Sequence, residues 1–246
     1  MNYLRGMLFN LLYVISVVLF TPPALILSPF LSLHQRLQML VLLPKSIQGM
    51  LALTCGITFR IEGKENIPPG PFVLISNHQS TWETFVLTYV FTPVSAVLKK
   101  ELTYIPFFGW LLYLGKPIVI DRSRKQSALK DILRQGQELL KQGVSVVIFP
   151  EGTRVPIDEQ RSHFPGGAML ACKTGVPVVP IVHNAGAHWP AHRLEKIPGE
   201  ITIKVGKPID TTGRSPKELN QQLENWINTE KQKLVLQTIS SKEEIV

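Results

Sequence analysis

The stretch FVLISNHQSTWE, residues 72–83, is an all-apolar run followed at once by polar residues. The run at 72–75 is typical of a strand that is covered on both faces, and the polar segment predicts the start of a helix reaching to about Phe91. Ligand sites of α/β sheets gather just beyond the carboxyl ends of the strands. His78 lies at such a point, five residues before the carboxylate of Glu83.

Similar apolar runs recur along the chain and are separated by helical patterns. Apolar residues at helical spacing predict one helix over 127–142, and Ser215-Pro216-Lys217-Glu218 is a capping-box pattern that opens another. Five further strands are predicted: Val94–Leu98, Pro117–Ile120, Val144–Phe149, Val178–Val182 and Ile201–Val205. Strands that alternate with helices predict an α/β fold, with a mixed, mostly parallel sheet flanked by helices.

Charged residues follow several of these predicted strands. Glu151 and Arg154 lie on a glycine turn in FPEGTR, residues 149–154, while Lys99 with Lys100 and Arg122 follow two other strands. We expect these motifs and His78 to meet at one edge of the sheet. A general base with an orienting acid, beside cations that can hold a phosphate, suits transfer of an acyl group to a hydroxyl of an anionic substrate.

The N-terminal region, residues 1–58, is strongly apolar and precedes a domain predicted over 59–239 and a polar tail at 240–246. No charged residue occurs from Gly6 to Gln35, and a second apolar stretch follows at 37–57. Pro22 and Pro23 predict a break or kink in the first helix. A membrane-associated helical hairpin within one leaflet and a single kinked spanning helix both fit this pattern, and core helices of a soluble domain are a third interpretation.

Composition favours a membrane partner over nucleic acid. Charged residues make up 18% of the 246 residues while hydrophobic residues make up 45%, and the net charge of +8 is dispersed. That balance fits a surface of anionic headgroups and shows no basic-aromatic motif for nucleic acid. Two cysteines, Cys55 and Cys172, predict reduced thiols rather than a disulfide framework. The histidines at 183–192 lack an acidic or thiol partner at ligand spacing, so we predict no metal site.

Four blocks in this order and spacing resemble the 1-acylglycerol-3-phosphate acyltransferase family of glycerophospholipid synthesis. They cover about residues 72–181, and together they are specific although each alone is weak. A lysine-containing segment, 99–102, also resembles the family, and so does the apolar N-terminus. The blocks are NHQSTWE (77–83), GKPIVIDR (115–122), FPEGTR (149–154) and GVPVVPI (175–181).

The resemblance implies a role for each matched residue. His78 would be the general base, and Glu83 would fix its tautomer and stabilise the imidazolium. Guanidinium and ammonium groups would hold the phosphate of the substrate, while Glu151 would position Arg154 or the acceptor glycerol, and the turn at Gly152 would point N–H groups inward. The predicted phosphate-binding set is Lys99, Lys100, Arg122, Glu151, Gly152, Thr153 and Arg154.

Glu83 departs from the aspartate that this family usually carries. The extra methylene moves the carboxylate by more than about one ångström, and we expect the chemistry to tolerate it. An alternative interpretation is purely structural, because Ser80-Thr81-Trp82-Glu83 is also a capping-box pattern and Glu83 could serve only to cap a helix.

The sequence therefore predicts an acyltransferase that moves an acyl group from acyl-CoA or acyl-carrier protein to the sn-2 hydroxyl of lysophosphatidic acid. No cofactor is expected. Its domain would face the cytoplasm, at a bacterial inner membrane, because the donors are cytosolic. Alternatives are another lysophospholipid or glycerol 3-phosphate as acceptor, a membrane lipid-binding module without turnover, and a phospholipase, which the lack of a G-x-S-x-G elbow disfavours.

Overall fold

A computed structural model of the chain describes residues 1–243, apart from the side chains at 125 and 239–243. The strands are β1 (Ile57–Glu62), β2 (Val73–Ser76), β3 (Val94–Lys99), β4 (Ile118–Ile120), β5 (Ser145–Ile148), β6 (Val178–His183) and β7 (Gly199–Val205). The helices are α1 (Asn2–Leu27), α2 (Leu33–Leu40), α3 (Leu42–Cys55), α4 (Trp82–Val90), α5 (Phe108–Leu114), α6 (Lys125–Lys141), α7 (Gly166–Thr174) and α8 (Pro216–Glu243).

The seven strands form one sheet in the order β1-β7-β6-β2-β5-β3-β4. Every neighbouring pair is parallel except β6 with β7. The central strands β2, β5 and β6 are buried along their whole length, as expected when both faces are covered. One apolar core lies under α1, α3, α4 and α5, and the other lies under α6, α7 and α8. The predicted mixed, mostly parallel sheet flanked by helices is confirmed.

Strand β1 is absent from the sequence-based prediction. It pairs only with β7 and forms an edge of the sheet. Its outward residues Thr58, Arg60 and Glu62 are polar, so the segment lacks the apolar run that marked the central strands. The helices α5 and α7 were also not predicted, because both are short and contain glycine.

Helix α1 continues through Pro22 and Pro23 over 26 residues, so the predicted break is wrong. Proline removes helical N–H donors and is costly inside a helix. Packing offsets that local cost, because α1 lies against both α3 and α5. The described N-terminal part holds two helical stretches, Asn2–Phe30 and Leu33–Cys55, that are long and apolar enough to enter a membrane and are mostly unburied.

Helix α1 lies along the α/β domain and touches it near both ends. At Gly6, an added Cβ atom would meet the Leu194 carbonyl oxygen at 2.1 Å, so only glycine permits this approach. Nearby, the ring of Phe9 meets that of Trp189 with centroids 5.1 Å apart. At the other end, Thr21 Oγ1 is 3.5 Å from the Phe107 carbonyl oxygen. Gly6 and Thr21 are about 22 Å apart along the helix, so the domain contacts most of its length.

Candidate active site

The predicted functional residues follow neighbouring strands at one edge of the sheet. His78 follows β2, Glu151 follows β5, Lys99 ends β3 and Arg122 follows β4. These four strands are consecutive neighbours and parallel, so their carboxyl ends lie side by side. The α/β topology thereby gathers residues that are more than 70 positions apart in the chain.

A short hydrogen bond joins the side chains of His78 and Glu83. His78 Nδ1 lies 2.7 Å from Glu83 Oε1, and the carboxylate is fully buried. The same oxygen accepts hydrogen bonds from the backbone N–H groups of Gln79 and Ser80, each at 2.8 Å. Glu83 therefore holds the start of α4 and orients the imidazole at the same time, so the two interpretations of this residue are compatible.

The surroundings of Glu83 favour its ionised form. Burial alone would raise the pKa of this carboxyl, but the nearby His183, the hydrogen bond and charge of His78, and the Ser80 N–H group lower it, with a net pKa below the usual value. A carboxylate accepts a hydrogen bond from an imidazole N–H. Nδ1 of His78 is then the protonated nitrogen, and the lone pair of Nε2 is available for a substrate proton.

The loop after β5 fixes the main chain of His78 from both sides. The His78 N–H donates to Glu151 Oε2 at 2.7 Å, and the His78 carbonyl accepts from the N–H of Val155 at 2.7 Å. The imidazole also stacks on Phe149, with ring centroids 4.4 Å apart. Glu151, which we expected beside Arg154 or the acceptor, is almost fully buried and bonds to the backbone of His78 instead.

Burial raises the pKa of Glu151 to about 7, although the His78 N–H and the charge of Lys231 oppose the shift. The folded protein therefore holds this proton more tightly than the unfolded chain, and the stability contributed by the group falls as the pH rises through 7. We expect the stability of Glu151→Gln relative to the wild type to increase by roughly 2 kcal/mol between pH 5 and pH 8, because the unfolded chain ionises near its usual pKa while the folded chain ionises only near 7.

Thermal unfolding in detergent at the two pH values measures this difference. Glu138→Gln on the exposed side of α6 is the matched control and should show no such pH dependence. An equal difference at pH 5 and pH 8 would contradict the elevated pKa of Glu151.

Two arginines flank the histidine. Arg154 Nη1 donates to Thr81 Oγ1 at 2.9 Å, and Arg122 Nη1 donates to the carbonyl of Gly152. Burial lowers the pKa of Arg122, Glu101 raises it, and the like charge of Arg154 lowers it again, which indicates that the two guanidinium groups share one region. Two neighbouring guanidinium groups form a site suited to a phosphate, although the carboxylate of Glu101 also acts on Arg122.

Other members of the predicted phosphate-binding set lie further out or point elsewhere. Lys99 and Lys100 are exposed, and Lys99 pairs with Glu101 at 3.1 Å. Thr153 is exposed on the same rim. Gly152 adopts a positive φ of 69°, but its N–H donates to the Phe149 carbonyl and so is not directed at a ligand.

Two cavities meet at His78. The first, of about 210 Å³, runs beneath α4 along β3 and is lined mainly by apolar residues, including Leu40, Phe85 and Phe149, with Arg122. The second, of about 380 Å³, lies between α1 and the connection from β3 to β4 and contains Arg154. Thr84, Leu102 and Phe108 border both. Sequence reasoning missed the first cavity, because its walls come from separate elements of the fold, namely α2, α3, α4, α5 and β3.

His183 supports the site although the sequence offered no context for it. Its N–H donates to Asn77 Oδ1 at 3.0 Å, and Asn77 Nδ2 donates to the His183 carbonyl at 2.9 Å. Its ring nitrogen Nδ1 accepts from the Ala185 N–H, and Nε2 faces the Asn77 carbonyl. Burial lowers the pKa of His183. These bonds fix the ends of β6 and β2 next to His78.

The fold and site define an α/β enzyme in which a histidine–carboxylate pair lies where two largely apolar cavities meet, each bordered by one arginine. The family model described as Acyltransferase matches residues 58–184, slightly more than half of the chain. A 1-acyl-sn-glycerol-3-phosphate acyltransferase of Pseudomonas aeruginosa is 43% identical over 229 residues, covering 92% of this chain and 89% of that protein. A protein of the same name from the yeast Saccharomyces cerevisiae is 37% identical over 177 residues. The match covers 70% of this chain and 58% of the yeast protein.

The chain belongs to the 1-acylglycerol-3-phosphate acyltransferase family, as the four blocks had indicated, and is an acyltransferase. The fold is similar to the crystal structure of the 1-acyl-sn-glycerophosphate (LPA) acyltransferase PlsC from Thermotoga maritima. That comparison has a TM-score of 0.79 at 26% identity, and it covers 95% of each chain. The similarity therefore extends beyond the α/β domain to the N-terminal helices.

Proposed function

We propose that this protein transfers a fatty acyl group from acyl-CoA or acyl-carrier protein to the sn-2 hydroxyl of lysophosphatidic acid, giving phosphatidic acid. The observation that carries the proposal is the position of His78 where two largely apolar cavities meet, one bordered by Arg122 and the other by Arg154. An acyl transfer between two lipids needs space for two chains at one base. The names of the similar proteins agree with this acceptor.

The chemistry follows from the orientation of the imidazole. Nε2 of His78 takes the proton of the acceptor hydroxyl as its oxygen attacks the thioester carbonyl. Glu83, bonded to Nδ1 at 2.7 Å, stabilises the imidazolium that forms. The tetrahedral intermediate then collapses to the ester, and the departing thiolate receives the proton from the imidazolium. The reaction is a single displacement, and no nucleophile on the protein is required.

The two cavities fit different substrates. The first cavity is bordered mainly by aliphatic and aromatic side chains, so it suits the acyl chain of the donor. The second contains Arg154 together with apolar residues of α1, so it suits a lipid that carries a phosphate. Arg122 lies on the first cavity near their junction, where it adds positive charge.

The N-terminal helices support a position of this site at a membrane surface. Because α1 touches the domain at Gly6 and at Thr21, it cannot extend away from the domain across a bilayer while those contacts persist. Its outward residues are apolar and exposed, for example Leu11 at 59% and Leu19 at 69%. This arrangement supports insertion into one leaflet rather than spanning, with the catalytic domain on the cytoplasmic side, where the donors reside.

The direct test uses purified protein in detergent micelles with labelled acyl thioester and lysophosphatidic acid. Formation of phosphatidic acid would support the proposal. A second set of reactions replaces the acceptor with lysophosphatidylcholine or glycerol 3-phosphate, and the donor with acyl-carrier protein. Product from one of these acceptors alone would reassign the acceptor, and absence of product from all of them would favour a lipid-binding module.

Arg154→Ala should raise the KM for lysophosphatidic acid about tenfold to a hundredfold, because one charge-assisted contact to phosphate is lost. The kcat should change less than the KM, since the His78–Glu83 pair remains intact. Steady-state kinetics at varied acceptor concentration measure both constants. Arg124→Ala is the matched control, because Arg124 is highly exposed and pairs only weakly with Asp121, at 3.9 Å. An equal effect of the two substitutions would contradict the assignment of Arg154 to the phosphate.

A further inference from the structure

The connection between β3 and β4 presents an apolar surface to solvent. No charged residue occurs from Leu102 to Gly115. Three of its aromatic side chains are highly exposed: Tyr104 at 66%, Trp110 at 47% and Tyr113 at 74%. Large contiguous apolar surfaces are uncommon on soluble proteins and mark contact with a partner or a membrane. We call this surface, formed by Tyr104, Trp110 and Tyr113, the aromatic patch.

The aromatic patch is not a by-product of core packing. Helix α5 buries Gly109, Leu111 and Leu114 on its inner side. Trp110 and Tyr113 are three residues apart and therefore lie on the same outer side. A surface helix of a soluble domain usually carries polar residues on that side. Here both sides are apolar: on the outer one Trp110 meets the ring of Phe107, with centroids 5.0 Å apart, and remains 47% exposed, while Tyr113 is 74% exposed.

The aromatic patch is continuous with the apolar surface of α1. Helix α5 packs against α1, and Phe85 bridges them, with its ring 5.6 Å from that of Tyr13 and 6.4 Å from that of Phe108. The second cavity lies between α1 and the segment just before α5, because its lining includes Val14 and Val18 of α1 together with Ile105 and Pro106, which follow Tyr104.

We propose that the aromatic patch is a second membrane contact, separate in sequence from the N-terminal helices and placed at the mouth of the second cavity. Tyrosine and tryptophan prefer the headgroup level of a bilayer, since each has an apolar body and a polar tip. Lys100 precedes the segment and is exposed, so it can meet anionic headgroups, whereas the neighbouring Lys99 pairs with Glu101. The proposal rests on the proposed function in one respect, namely that the second cavity receives the acceptor lipid.

If the aromatic patch contacts the membrane, Trp110 should meet acyl chains in a bilayer. The full-length protein is reconstituted with phosphatidylglycerol-containing vesicles whose lipids carry bromine on the acyl chains, and tryptophan fluorescence is compared with that in unbrominated vesicles. Trp82 and Trp189 are buried, although Trp189 lies against Phe9 of α1, so most of the quenched signal should come from Trp110 and be lost in Trp110→Phe. Trp226→Phe, on α8, is the matched control and should leave the quenching unchanged.

Absence of quenching in the wild type, or quenching in Trp110→Phe as large as in the wild type, would overturn the proposal. Burial of Trp110 by a second copy of the chain would give concentration-dependent self-association in detergent and no quenching by brominated lipid, which would also overturn it. This readout does not depend on catalysis, so it remains decisive even if the acceptor proves to be another lipid.

A second experiment separates membrane contact from chemistry. We expect Tyr104→Ser/Tyr113→Ser to lower kcat/KM about fivefold for lysophosphatidic acid embedded in vesicles, because two interfacial aromatic contacts are lost. With a short-chain, water-soluble lysophosphatidic acid the kcat/KM should match the wild type. Leu236→Ser removes an exposed apolar residue of α8 and is the control. Equal losses with both acceptors would overturn the membrane role, whereas an inactive wild type would instead contradict the proposed function.

Discussion

His78→Ala should lower kcat by about 10²–10⁴-fold, the range expected when a general base is removed. The alanine variant also loses the bond to Glu83 and the stack on Phe149, so a loss of activity could in principle reflect a disturbed loop. His78→Asn is the sharper variant. Its amide can still donate a hydrogen bond to Glu83 Oε1, but it has no basic nitrogen at the position of Nε2.

We expect both variants to lose activity to a similar extent, while His78→Asn keeps a thermal unfolding temperature close to that of the wild type. Single-turnover acyl transfer with labelled thioester measures the chemical step directly. His34→Ala, at an exposed position of α2, is the control for unspecific effects. Activity of His78→Asn within about threefold of the wild type would be incompatible with a general base at this position.

The fold could be predicted best where an apolar run ends directly at a polar motif. The buried strands β2, β5 and β6 are continuous apolar runs, and each ends at a polar motif, so their place in a parallel sheet could be predicted. The edge strand β1 carries polar outward residues, and its pairing with β7 depends on a segment more than 140 residues away. No pattern within residues 57–62 could therefore predict that β1 pairs with β7.

Helix α1 shows how tertiary packing overrides a local rule. The rule that proline ends a helix describes an isolated segment, whereas Pro22 and Pro23 lie in a helix held by α3 and α5. The contact of Gly6 with the Leu194 carbonyl also depends on tertiary packing, so the local sequence could not predict it. A glycine in an apolar helix has no local signature that distinguishes close packing from a neutral position.

Glu151 illustrates the same limit within the site. Its place in the FPEGTR block indicated a role near the phosphate, but the side chain turns inward and accepts the N–H of His78. That contact joins the end of β5 to the end of β2, and only the sheet order brings the two ends together. Burial of Glu151 takes its carboxyl group away from the rim, so in the proposed function Arg154, and not Glu151, meets the phosphate.

Glu83→Gln should lower kcat by about 10²–10⁴-fold with a small loss of stability. The glutamine oxygen can still accept the three donors that meet Oε1, namely His78 Nδ1 and the N–H groups of Gln79 and Ser80. It cannot supply the negative charge that stabilises the imidazolium. Glu83 Oε2 is buried and has no hydrogen-bond partner among the described residues, so an amide nitrogen there would be an unpaired donor costing about 1–3 kcal/mol.

The two consequences are measured separately, by single-turnover kinetics and by thermal unfolding in detergent. Glu83→Asp is the matched variant, because it keeps the charge but shortens the reach to His78, where the bond is now 2.7 Å long. We expect its activity to lie between those of the wild type and Glu83→Gln, since a carboxylate that is displaced still stabilises the imidazolium. If Glu83→Gln instead kept its full kcat while losing stability, the carboxylate would serve only to hold the start of α4, and His78 would act without a charged partner.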